Sequence, residues 1–263
     1  KILPNYDIIY IKNIKNINPF KLIFPNFMNI RTSNEVCLSS RLEMTWEIYK
    51  KKLRKKLIQD NNRQWKRLEK IGNVEMLIID REEKNYSKYI DEFIHQKGKR
   101  YQFTGATNIF KNEDIINFYK YLKTSINLNA KIHFSLLKVN DNIIATHWGL
   151  VENDTFYYLM PSFSYDWIKF SPGKLHLEKL IRWSIKNNIK FFDFTIGTEK
   201  YKYEWCDQKT NLYEIIYPSS ILGFIYFFSI KIKIKLKKSN FFMKILKLIR
   251  NYKNSFGKKI FNA

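Results

Sequence analysis

Two neighbouring stretches decide how this chain reads: Ser171–Asn187, SPGKLHLEKLIRWSIKN, and Phe191–Trp205, FFDFTIGTEKYKYEW. In the first, Pro172 follows Ser171 at a helical first turn, where the missing proline N–H has no intrahelical partner to lose. Leu175, Leu177, Leu180, Ile181 and Ile185 recur at helical spacing and predict an amphipathic helix over Pro172–Asn187. Gly173 lets a ligand approach the backbone, and the N–H groups of a helix start favour a phosphate or pyrophosphate; a plain Ser-capped helix explains the same residues. In the second, Lys190–Ile196 is an apolar run carrying one acid, Asp193, and predicts a strand. Beyond Gly197 charged and aromatic residues alternate, at the strand end where open α/β sheets bind ligands.

Working outward, Lys131–Val139, Asn142–Val151 and Thr155–Met160 read as three successive strands, with turns at Asp141-Asn142 and Asn153-Asp154. Val74–Asp80 is a further strand, Tyr86–Lys97 and Glu113–Leu128 are helices, and Leu212–Tyr217 is a last strand. The order is mixed α/β, an antiparallel meander feeding a βαβ crossover. Upstream, Asp7–Ile11 and Glu35–Leu38 are strand candidates, and Thr45 is the N-cap of one long helix from Trp46 to near Gly72. Lys50, Lys51, Lys52, Arg54, Lys55 and Lys56 make that helix basic, either as a solvated face or as a contact for nucleic acid.

The 263 residues carry 47 Lys and Arg against 24 Asp and Glu, a net charge of +23. Such a field attracts nucleic acid, anionic lipid or phosphorylated ligands. An AT-rich genome, whose codons favour Ile, Lys and Asn, accounts for the bias equally well. Eleven of the cations fall in residues 219–263, and no acid follows Glu214. With 45% apolar and 17% aromatic residues the chain is neither disordered nor low in complexity. Its two cysteines, Cys37 and Cys206, suit a reducing compartment and hence the cytoplasm. There is no Walker loop, dinucleotide glycine fingerprint or nucleophile elbow. His95, His133, His147 and His176 lack metal-ligand spacing, so no metal is expected. The chain starts at Lys1 rather than Met and reads as a fragment or a processed chain.

Together the Pro-Gly helix start, the Asp-Phe strand and the Gly-x-Glu-x-Tyr-Lys run resemble the GNAT-type acetyltransferases of cellulose and exopolysaccharide biosynthesis, the CelD/BcsL group. The resemblance implies an α/β GNAT fold, a mixed central sheet flanked by helices. It implies a GNAT acyltransferase domain over 73–218, preceded in 1–72 by part of a second, related domain and a connecting helix. The pattern departs from the family in one place: Lys174 stands where the pyrophosphate loop carries a second small residue. The two-domain arrangement is shared with FemAB-type transferases, which use aminoacyl-tRNA in place of acyl-CoA.

The resemblance implies transfer of an acyl group, acetyl in the first instance, from coenzyme A to an amine on a sugar or cell-envelope glycan precursor. Ser171, Pro172, Gly173, Lys174 and Leu175 are expected to hold the donor. Tyr201 is expected as the acid that protonates the departing thiolate, with Tyr203 in reserve, and Glu199 or His147 as the base. Asp193, Lys202 and Tyr203 are expected on the acceptor, Lys202 as an orienting cation. Two other readings remain open: a FemAB-like transferase whose tRNA donor suits the basic helix, and a degenerate, membrane-associated scaffold for polysaccharide biosynthesis.

In the tail, Ile221–Ile230 is apolar but about half of a bilayer span. Phe242, Ile245, Leu246, Ile249, Tyr252 and Phe256 recur at helical spacing, with Lys244, Lys247, Arg250 and Lys253 largely opposite. Residues 219–263 are therefore expected to form a basic amphipathic tail, attached peripherally to the inner face of the cell membrane.

Overall fold

A computed structural model describes residues 6–23, 29–80, 82–122 and 130–238, without the side chains of 22–23 and 233–238. By contacts the chain falls into two compact units, Glu35–Thr210 and Lys1–Asn34 with Asn211–Ala263. The strands and helices predicted over 35–72 thus belong with those of 73–210. The expected helix over 241–256 lies outside the described residues.

Strand β1 is Ile8–Ile14, helix α1 Asn18–Ile23 and strand β2 Asn29–Arg41; α2 is Trp46–Lys51, α3 Lys55–Glu69 and β3 Val74–Ile79. Helices α4 (Tyr86–Thr104) and α5 (Glu113–Tyr121) precede the meander β4 (Ala130–Val139), β5 (Asn142–Glu152) and β6 (Thr155–Phe163). Helix α6 (Pro172–Lys186), β7 (Phe191–Ile196), β8 (Gln208–Pro218) and α7 (Ile221–Lys238) complete the order.

In the larger unit the strands run β2-β7-β6-β5-β4-β3. All neighbours are antiparallel except β6 and β7, which are parallel and joined by the α6 crossover. This is the mixed sheet that the sequence predicts. Alternation along β4 assigns its two faces. Phe134 and Leu136 pack with Ile90, Phe93 and Tyr119 of α4 and α5. On the other face Ser135 bonds His176 of α6 at 3.0 Å, and Leu137 packs with Leu175 and Leu68. Each large apolar side chain buried this way contributes about 1.5–3 kcal/mol.

Two helices are among the elements that depart from the sequence reading. Thr45 does cap α2, its hydroxyl accepting the Ile48 N–H at 3.3 Å, but the helix breaks at 52–54 before α3 begins. Tyr49, Leu53 and Leu57 all enter one core cluster, and the break lets the chain bend onto it. Helix α4 runs past Lys97 and through Gly98 to Thr104. It stops at Gly105, whose φ of 66° is the left-handed cap that glycine accepts.

In the smaller unit β1 pairs antiparallel with β8, and Phe227 and Ile230 of α7 bury against Ile216, Ile8 and Tyr10. No helix among the described residues is long and apolar enough to cross a membrane.

Candidate active site

The parallel ladder between β6 and β7 joins Thr155, Phe156 and Tyr157 to Phe191, Phe192 and Asp193 and goes no further. Past its end a cleft of about 250 Å³ opens against β6. Its floor is Tyr158 with Pro161, Ser162 and Phe163 of β6. One wall is the start of α6, Ser171 to Lys174; Tyr201, Arg100 and Ile168 close the rest.

The α6 start meets the cleft as the sequence predicts. Ser171 sits at φ 55°, ψ 48°, a left-handed turn that swings the chain into the helix. The Lys174 and Leu175 amides bond back to the Ser171 carbonyl at 3.0 and 3.3 Å. Pro172 has no N–H, so Gly173 supplies the amide of this first turn that remains for a ligand. A Cβ at Gly173 would stand 3.2 Å from the Phe163 ring and narrow the cleft. Lys174 reaches Glu204 at 3.3 Å, so its charge is partly met. Leu175 is not on this wall: its side chain packs into the core with Leu137 and Ile144.

Tyr201 is the member of the second stretch that lines the cleft. Burial and the nearby Glu199 charge push its hydroxyl up to about 12, against the opposing influence of Arg100. It therefore keeps its proton at neutral pH. Glu199 is half-exposed and paired with Lys202 at 2.9 Å. Burial alone would raise its pKa, but the hydrogen bond from Lys202, its own backbone N–H and the charges of Lys202 and Arg100 hold it below the usual range. Its carboxylate lies over Gly197, at φ 123°, where a Cβ would collide with it.

Other expected members of the site have different positions. Lys202 is buried and donates to the Ile196 carbonyl at 2.7 Å as well as to Glu199, so it fixes the loop instead of facing an acceptor. Asp193 is buried behind the cleft, where its carboxylate accepts the Thr195 N–H at 2.7 Å and the Cys37 thiol at 3.0 Å. Those bonds brace Thr195, whose φ of 60° is strained for a β-branched residue, at the point where the chain leaves the sheet. Tyr203 is 48% exposed and off the cleft wall. His147 is fully buried and stacks on Tyr158 at 4.7 Å between centroids. Burial first, then His133, His176 and Lys97, hold it well below 6.5, so it stays neutral with Tyr158 facing the cleft in its place.

Arg100, Tyr158 and Ser162 were not legible as site residues. Arg100 and Lys97, one turn apart on α4, both donate to the Pro161 carbonyl, at 3.1 and 3.0 Å. Burial first, then the charge of Arg100, pushes the Lys97 ammonium down to about 7. The usable signal was Arg100 itself, one of only nine arginines among 47 basic residues. The Ser162 hydroxyl is buried beneath the cleft floor without a hydrogen-bond partner among the described residues. No group of three or more metal-ligating side chains occurs among the described residues.

A model of the Acetyltransferase (GNAT) domain family matches residues 55–203. Among solved structures the chain is similar to FemX, with a TM-score of 0.57 at 9% identity over 81% of this chain and 72% of that one. It is also similar to the C-terminal domain of a putative lysylphosphatidylglycerol synthetase from Agrobacterium fabrum, with TM-score 0.53, 11% identity, and coverage of 79% and 66%. A conserved protein of unknown function from Bacteroides thetaiotaomicron gives TM-score 0.51, 13% identity, and coverage of 75% and 65%. The chain thus spans just under two thirds of the last two, and at these identities the likeness is one of fold. No curated protein matches. The family match extends over more than half of the chain, from α3 to the loop that carries Tyr201, and the chain belongs to the GNAT acetyltransferase-domain family.

Proposed function

We propose that this protein is an acyltransferase that moves an acetyl or similar acyl group from coenzyme A to an amine on a sugar or cell-envelope glycan precursor. The observation that carries this reading is the cleft itself, where the α6 start and the protonated Tyr201 line one cavity against β6. The acceptor class rests on the resemblance to the CelD/BcsL group. Gly173 and Lys174 would hold the donor's phosphates, and the edge of β6 past its ladder with β7 would hold its arm. The donor supplies an activated thioester carbonyl. As the acceptor nitrogen bonds to that carbon and the carbon–sulfur bond breaks, Tyr201 gives its proton to the sulfur and Glu199 takes one from the nitrogen. Solvent then reprotonates Tyr201. A β6 backbone amide past the end of the ladder with β7 would stabilise the oxyanion.

One observation favours a second reading, a tRNA-borne donor. Arg63, Lys66, Arg67 and Lys70 line a groove of about 440 Å³ on α3. Arg67 also reaches the Lys169 carbonyl at 3.4 Å, just before the α6 start. The test is release of coenzyme A thiol from a panel of acyl-CoAs with and without amino sugars, beside aminoacyl-tRNA. Amine-dependent thiol release is expected. Transfer from aminoacyl-tRNA alone would establish the second reading, and no transfer from either donor would leave the scaffold.

A further inference from the structure

Helix α7 is apolar on the side that faces away from the protein. Ile221, Ile225, Phe228 and Ile232, spaced by four, three and four residues, form one stripe and are 82%, 62%, 57% and 59% exposed. Leu222, Phe224 and Tyr226 beside them are exposed as well. The opposite side holds the helix in place: Phe227 and Ile230 bury against β1 and β8, and Gly223 presses so closely on the Asp7 carbonyl that a Cβ would collide with it. The Ser219 amide bonds the same carbonyl at 2.8 Å, and the Ser220 hydroxyl meets the Asp7 carboxylate. The stripe is therefore the face left over after the helix has packed. A helix that is apolar all round needs burial on both sides, and an exposed patch of this kind marks an interaction surface.

Charge chooses the partner. Lys231, Lys233, Lys235, Lys237 and Lys238 follow directly on the same helix, and the chain has no acid beyond Glu214 to offset them. Apolar side chains that sink below headgroups while lysines remain among them match an anionic bilayer surface. We propose that the outward stripe of α7 docks this protein on anionic lipid, the helix lying in the interface without spanning it.

The test is flotation of the full chain with vesicles of phosphatidylcholine alone or mixed with phosphatidylglycerol, at low and high salt. An Ile225→Ser/Phe228→Ser variant changes exposed residues only and should keep its melting temperature. The chain should float with the mixed vesicles, less so at high salt, and the variant should bind at least ~10-fold more weakly, the apolar area being lost from the interface. Equal binding by the variant, or equal binding to both vesicles, would overturn the proposal. So would failure to float together with a dimer that the variant dissociates, which would assign the stripe to a second copy. None of these outcomes bears on acyl transfer in the cleft, which is assayed without lipid.

Discussion

The two stretches that decide the reading of this chain both suggest a ligand site in the sequence, and they contribute to it differently in the structure. Ser171–Lys174, with one charge, turns its backbone and all four residues to the cleft. Asp193–Tyr203, dense in charge and hydroxyls, gives the cleft Tyr201, while Asp193 and Lys202 are spent on bracing the loop. Polar density near a strand end thus marks a loop that must hold an unusual shape, here with Thr195 and Gly197 both at positive φ. Of these residues it is Tyr201 that lines the cleft.

The first way to sharpen this contrast is to attack what lies behind the cleft. Burial lowers His133 to about 4 and His176 to about 3, so both are neutral in the folded protein at any pH above those values. In the unfolded chain each binds a proton near 6.5. Stability is therefore complete above pH 6.5 and is lost as pH falls toward 4, by up to about 3 kcal/mol for His133 alone. Urea melts between pH 7 and 4 should show this, and His133→Phe should flatten the slope. A slope unchanged in that variant would place the titration elsewhere.

Next is the cleft residue. Tyr201→Phe keeps the ring and removes the proton, so turnover should fall ~100-fold with donor affinity unchanged. Tyr203→Phe, off the wall, should leave turnover within twofold. If the two variants behave alike, the contrast between wall and brace fails.

A smaller effect is expected from the brace. Asp193→Ala removes the side-chain acceptor of the Thr195 amide and one acceptor of the Cys37 thiol and should cost about 1–3 kcal/mol of stability. Turnover per folded molecule should decline less than in Tyr201→Phe. A larger loss of turnover than of stability would return Asp193 to the substrate.

The sheet and its crossover were legible because period-2 and period-3.6 patterns follow from burial alone, as in β4–β6 and α6. The break at 52–54 was not, because no proline or glycine marks it and tertiary packing of Tyr49, Leu53 and Leu57 sets it. In the site, the helix start and Tyr201 were legible from local motif. Arg100 was not, because it comes from a helix 61 residues away from the Pro161 carbonyl it grips. His147 was misleading: only the fold shows that Tyr158 covers it.

The central claim is that the α6 start receives the phosphates of an acyl-CoA. Its most direct test is titration of acetyl-CoA into the intact chain and into Gly173→Val, followed by melting temperature. The wild type should be stabilised by about 2.7 kcal/mol at 100 times its dissociation constant. The variant, with a branched side chain against Phe163 in the cleft, should bind about tenfold more weakly, a loss of about 1.4 kcal/mol. Equal stabilisation of a folded Gly173→Val protein, or none of the wild type by any acyl-CoA, would contradict the account.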